Sequence, residues 1–323
     1  MILRALAGAV VAALVAAPLT VVAPADATWS GSNGYIVFVG SSPKGRDLFR
    51  IHADGTGRQR LTRLGHVSDP RYNRAGSRIA FTYGGVLSRD VWVMRANGSD
   101  PTPVITGGAN ESQPSWSPDG RRIAYTSDES GKRQIHVLDL VAGTSTQITS
   151  ASATLDSAWS PAWSPNGRRI AFVGRVPTGQ DPDEVDLYHS HWNLLMTVEP
   201  DGANPTAITD SYWVARPDWV PSGRRILFSF AEESYRNECY VHARSIAANG
   251  SESAPTRLAT TGCFEYDPVR SPDNRRMALW STGRDYFSSH PRIGLYVARA
   301  SGAGQRRIAP DARRNLGIDW QAR

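Results

Sequence analysis

The chain has 323 residues, with 40% hydrophobic content and 36 Lys+Arg against 30 Asp+Glu for a formal charge of +6. That apolar content is enough for a full core and excludes wholesale disorder. With 29 Gly and 21 Pro, the composition argues against a helical bundle and for many short strands.

In chain order the first element is an address. Met1 to Arg4 carries one positive charge, Ala5 to Ala23 is apolar apart from Thr20, and Ala25-Asp26-Ala27 places small residues where a signal peptidase reads. This order predicts a signal peptide over residues 1–27, cleaved after Ala27, and a mature chain over 28–323. Pro18 and Pro24 interrupt the apolar stretch and argue against a retained anchor helix. The expected location is secreted, periplasmic or cell-envelope, with no transmembrane segment in the mature chain.

A repeat then governs the rest. The string PSWSPDGRRIAYTS at Pro114 returns as PAWSPNGRRIAFVG at Pro161, PDWVPSGRRILFSF at Pro217 and PVRSPDNRRMALWS at Pro268. A degraded copy, PRYNRAGSRIAFTY, begins at Pro70, and a fragment, IDWQ, at Ile318. The period is about 50 residues, which is the length of a four-stranded propeller blade. Each copy is followed by an alternating run such as DVWVMR or QIHVLDL. A turn such as Asn97-Gly98 or Asn249-Gly250 comes next, then a short strand ending in Ile-Thr or a close variant. The strands are labelled A (Pro-x-Trp), B (Arg-Ile-Ala-Phe/Tyr), C and D. The chain opens at Gly34 with B, C and D and ends with an A strand at Ile318 to Gln321. These counts predict an all-β, six-bladed propeller whose last strand joins the first blade and closes the ring, removing two open sheet edges.

The Pro-x-Trp-Ser-Pro-Asp-Gly-x-x-Ile-Ala-Tyr/Phe pattern resembles the WD-like repeat of the TolB family, whose members are periplasmic six-bladed propellers. The resemblance covers Gly34 to Trp320. It implies a binding scaffold; related propellers also gate serine peptidases and occasionally act as lyases. The expectation is a propeller without the α/β domain that precedes it in TolB and without the hydrolase domain of the peptidases. No Gly-x-Ser-x-Gly nucleophile elbow occurs.

The recurring Trp116, Trp163, Trp219 and Trp320, and Ala80, Ala124, Ala171 and Ala278, are expected in the core. The pairs Arg121-Arg122, Arg168-Arg169, Arg224-Arg225 and Arg275-Arg276 follow the A–B turns and gather on one end of the ring. They are expected to pair with carboxylates such as Asp119 and Asp273. The D–A and B–C loops of the other end hold the unusual residues. Expected ligand or partner contacts there are His66, Glu111, Trp192, Trp213, Phe264, Glu265 and Tyr266. His66, Glu111 and Glu265 precede strand A in three blades and are placed near the channel. The acidic insert DPDEVDLYHSHW offers His189 and His191 as weak metal candidates. Cys239 and Cys263, the two cysteines of an exported chain, are expected to form a disulfide.

These features predict a scaffold that binds a protein or peptide through the D–A/B–C loop face, with no catalytic residue and no cofactor. The alternative is a carbohydrate-binding or carbohydrate-active propeller with a metal at the pore mouth. An envelope polysaccharide is therefore a second partner class. Nucleic acid is not expected, since a charge of +6 spread over repeated turns is a weak footprint.

Overall fold

A computed structural model describes residues 33–85, 88–177, 191–210, 213–231, 241–252, 254–258, 260, 264–283, 292–313 and 316–322. Among them are six four-stranded antiparallel sheets and no helix, so none is long and apolar enough to cross a membrane. Both cysteines lie outside the described residues, as does His189.

Blade one is B (Asn33–Ser42), C (Gly45–Ile51), D (Gln59–Arg60) and A (Ile318–Ala322). Blades two to six then follow A-B-C-D in chain order, with inner A strands Val67–Tyr72, Ser112–Trp116, Ser157–Trp163, Val214–Trp219 and Glu265–Arg270. Successive A strands touch around a common axis. The ring is closed as the strand count requires: Ile318, Asp319 and Trp320 pair with Phe38, Val37 and Ile36. Side chains from the same strand bind the neighbouring blade. Asp319 accepts from Tyr72 N at 2.6 Å, and Gln321 Nε2 donates to Gly76 O at 2.6 Å.

Packing follows from the repeat. Trp116, Trp163, Trp219 and Trp320 are buried, and Trp116 and Trp219 each donate Nε1 to a carbonyl of the preceding blade's A strand, Arg71 O and Ala162 O. Ala80, Ala124, Ala171 and Ala278 have no exposed surface, which fits strand B residues pressed between adjacent blades. The Ile-Thr endings also have a job. Thr62, Thr149 and Thr209 accept, through Oγ1, the strand C amides of Leu48, Ile135 and Leu195, at 2.9–3.1 Å, where the short D strand stops pairing. Each such bond satisfies a buried donor whose loss costs about 1–3 kcal/mol.

The expected Arg–Asp pairing at the A–B turns is present only at long range: the charges of Arg121, Arg122 and Arg275 help to hold Asp119 and Asp273 below the usual carboxylate range, but no close ion pair forms. Asp119 and Asp273 instead accept the backbone amides of Arg121 and Arg275, each at 3.0 Å, together with the hydroxyls of Ser117 and Ser271. These carboxylates cap their own turns, as Asp does beside a Gly or Asn that adopts positive φ. The guanidinium groups of Arg121, Arg168, Arg224 and Arg275 make no close ion pair or hydrogen bond.

Candidate functional site

Proline in an inner strand shapes the axis. It has no N–H for the ladder, so it is confined to edge strands and bulges, and here it sits at both. In blades two to six the A strand carries one extra residue against strand B at this point, as between Ser68 and Arg71 or between Ala215 and Asp218. The residue before the proline takes up the bulge in the left-handed region: Asp69, Gln113, Ser160, Arg216 and Asp267 have φ of 53–56°. In blade one Gly317 holds the same place at φ 93°, and a Cβ there would come within 2.8 Å of Asp69 Cα. Six equivalent residues thus form a ring toward the mouth built by the D–A and B–C loops.

That ring is tied across its centre. Arg216 of blade five forms an ion pair with Asp69 of blade two, on the opposite side, and lies 3.4 Å from Asp267 of blade six. The three side chains are 10%, 8% and 3% exposed. Burial alone would lower the Arg216 pKa, but the charges of Asp69 and Asp267 hold it above the usual value. Burial pushes Asp267 up, against the pull of Arg216. Asp267 also accepts Gly317 N at 3.2 Å, and Gln113 Oε1 accepts Ser160 N and Thr126 Oγ1, each at 3.0 Å.

One step along the axis the pattern reverses. Arg71 of blade two reaches Asp218 of blade five at 3.7 Å. The sequences Asp69-Pro70-Arg71 and Arg216-Pro217-Asp218 are charge-reversed copies, and opposite blades join them by two reciprocal ion pairs. Below them, at the A–B turn end, lies a cavity of ≈ 80 Å³ lined by Arg71, Asp218, Arg270, Asp319, the four repeat tryptophans and Pro165, Pro221 and Pro272. Burial raises Asp218 to about 7, with the Asp319 charge adding and Arg71 and Arg270 opposing. Asp319 is raised by burial as well.

The sequence-predicted residues fall around, not in, this ring. His66 is exposed at the loop-rich mouth. Trp213 is half-buried and meets Tyr266 edge-on at 6.4 Å; Tyr266 in turn packs on Trp280 at 5.8 Å, closing the junction of blades five and six. Phe264 is buried in the same cluster. Glu265 has no exposed surface: its carboxylate takes Thr260 Oγ1, Ala243 N and Gln305 Nε2, and His242 lies 4.0 Å away. It joins blade five to blade six. Glu111 is buried between blades two and three, and no hydrogen bond reaches its Oε2. Burial raises its pKa, and the neighbouring Asp90, Asp128 and Glu129 add to the effect. Trp192 is half-buried against the blade-four core. The side chain of His191 is outside the described set, and no group of three or more His, Cys, Asp or Glu close enough for a metal occurs among the described residues. The pairing of Asp69 with Arg216 is not among the sequence-based expectations. The usable signal was the residue before each strand A proline.

The profile of the TolB beta propeller domain (PD40) matches residues 8–207. Similar curated proteins include the Tol-Pal system protein TolB of Hahella chejuensis, 41% identical over 58 residues, 18% of this chain and 14% of that protein. An uncharacterized peptidase, YuxL of Bacillus subtilis, is 27% identical over 96 residues, 28% of this chain and 15% of the relative. The matched stretches are thus a small share of those relatives' lengths. Among solved structures, TolB from Acinetobacter baumannii superposes with a TM-score of 0.67 at 16% identity, over 92% of this chain and 68% of that one. A chain of the nidogen/laminin complex gives 0.62 at 8% identity, over 89% and 98%, and oligogalacturonate lyase in complex with manganese gives 0.50 at 14%, over 87% and 86%. At such identities the superpositions show the fold alone.

Proposed function

The chain belongs to the TolB beta propeller family, and from that premise we propose that it is an exported scaffold that binds a protein or peptide at its D–A/B–C mouth. The observation that carries this reading is the ring of five non-glycine residues held at φ of 53–56°. Each costs on the order of 1 kcal/mol or more, and strain of this kind collects at functional surfaces. It fixes a polar, rigid floor of Asp69, Gln113, Ser160, Arg216 and Asp267 beneath the irregular loops. The cross-channel pairs block passage through the ring, so a partner engages the mouth rather than threading it.

In this reading exposed His66 and half-buried Trp213 and Trp192 are the contacts; an aromatic ring beside polar groups suits a peptide segment. Phe264, Tyr266 and Glu265 hold the loops in place, and Glu111 sits buried behind the rim. The leader over residues 1–27, and with it secretion or residence in the envelope, belongs to the same proposal, as does a Cys239–Cys263 bridge that would pin the neighbouring loop.

The test is a peptide array and a glycan array probed with the purified protein, followed by Trp213→Ala and His66→Ala on any captured ligand. Captured peptides whose affinity falls about tenfold or more on Trp213→Ala are expected. Capture of glycans without peptides would replace this reading with the carbohydrate one.

A further inference from the structure

The opposite face of the disc carries a feature that the partner-binding mouth does not use. Four repeats place an arginine pair after the A–B turn, and the two members behave differently. The second is anchored in three blades. Arg122 lies 4.8 Å from the centre of the Trp163 ring, Arg169 donates to Asn204 O at 2.9 Å, and Arg225 grips both oxygens of Glu252 at 2.5 and 3.0 Å. The first member, Arg121, Arg168, Arg224 or Arg275, is exposed, and its guanidinium group makes no hydrogen bond or close ion pair, although the charges of Arg121 and Arg275 reach Asp119 and Asp273. The turn carboxylates that stand nearest are committed to backbone amides. Because the repeats are equivalent, these four groups stand at one level, one per blade. They stand near the axis on four adjacent blades, three to six, since Pro165, Pro221 and Pro272 of the same turns line the axial cavity.

The charge is organised radially. The A–B turns of blades two to six hold ten arginines and the carboxylates Asp119 and Asp273. Farther out, the C–D turns are mixed in charge: Asp54, Asp139, Glu199 and Asp201 accept hydrogen bonds within or near their own turns, and the exposed Arg58, Arg95 and Arg299 stand in or at the start of such turns. The excess of positive charge is therefore concentrated at the A–B turns near the axis, which suits a compact acidic body seated there.

We propose that this face is a second interaction surface, for an acidic protein segment rich in Asp and Glu, received by Arg121, Arg168, Arg224 and Arg275. Guanidinium forks match carboxylates bidentately, and these exposed arginines have no internal hydrogen bond to break on binding. With a partner at the loop-rich mouth, the propeller would then join two proteins through its two ends.

The probe is a short fluorescein-labelled peptide rich in Glu and Asp, titrated by anisotropy at low and physiological ionic strength. Binding is expected to weaken with salt and to fall by about tenfold or more in R121Q/R168Q/R224Q/R275Q. Two doubles of equal charge control for net charge: R168Q/R224Q near the axis and R95Q/R299Q away from it. The inner double is expected to lose more, and Trp213→Ala on the far face to lose nothing. Equal losses in the two doubles, an unchanged quadruple variant, or binding to anionic lipid vesicles with none to the peptide would each overturn the proposal. All the substituted arginines are exposed, and circular dichroism of each variant, Trp213→Ala included, confirms that it is folded.

Discussion

Arg216→Ala tests whether the axis is held by charge. In the native ring the Arg216 guanidinium, 10% exposed, lies between Asp69 and Asp267, whose side chains are 8% and 3% exposed. Its removal leaves two buried carboxylates facing each other across the space it filled. Breaking a buried pair by deleting one partner costs about 3–5 kcal/mol, most of it the stranded charge. In a domain of this size that lowers the melting temperature by roughly 10 °C. The pH dependence separates a charge effect from a packing effect. Burial already raises Asp267, and without Arg216 it rises further. The variant's folded state therefore holds a proton that its unfolded state releases, so its deficit is large near pH 8 and shrinks toward pH 5. Thermal denaturation followed by circular dichroism at both values reads this directly. A melting temperature within about 2 °C of the native protein at pH 8, or an equal deficit at both pH values, would show that charge does not hold the axis.

Two further outcomes follow from the axis and the closure. Asp218 is raised to about 7, so between its unfolded value of 3.8 and about 7 the folded state binds a proton that the unfolded state does not. Its contribution to stability therefore falls as pH rises through that window, at about 1.4 kcal/mol per unit. Asp218→Asn removes that dependence: relative to the native protein it gains up to about 2–3 kcal/mol between pH 5 and pH 8, read by urea denaturation, whereas a constant difference contradicts the assignment. Arg71, Arg270 and Asp319 face the same group and are unchanged in the variant. Deleting Leu316 to Arg323 removes the inner strand of blade one with buried Trp320, for a loss of roughly 5 kcal/mol or more. A melting curve like that of the intact chain would show that the ring does not depend on this strand.

The blades were legible because every signal for them is local and repeated. Proline, tryptophan, the Asp-Gly turn and the Arg-Ile-Ala strand recur with the same internal spacing, and the missing A strand at the start matches the surplus one at the end. The axis was not legible in the same way. His66, Glu111 and Glu265 looked closest to it, yet the bulge at each proline hands that place to the residue immediately before it. Glu265 ends buried under Thr260 and Gln305, a position no spacing rule distinguishes from an exposed one. The joining of Asp69 to Arg216 needs blades two and five to be opposite each other, which follows from the closed ring of six and from nothing near either residue. Likewise, the turn arginines were expected to pair with the nearest acids. Those acids are better placed to cap the turn, because the amide two residues ahead is within reach without ordering a long side chain.

The closure by Ile318–Ala322 also sets the timing of folding. Tyr35 and Gln321, hydrogen-bonded at 3.1 Å, are 286 residues apart in the chain. Blade one is thus the earliest sheet to be synthesised and the latest to be completed, and its open flank is a sticky surface while the intervening residues emerge. A ribosome stalled anywhere before Ile318 yields a horseshoe rather than a smaller disc. Under the export proposed above, this delay would keep the ring open until the last strand has emerged.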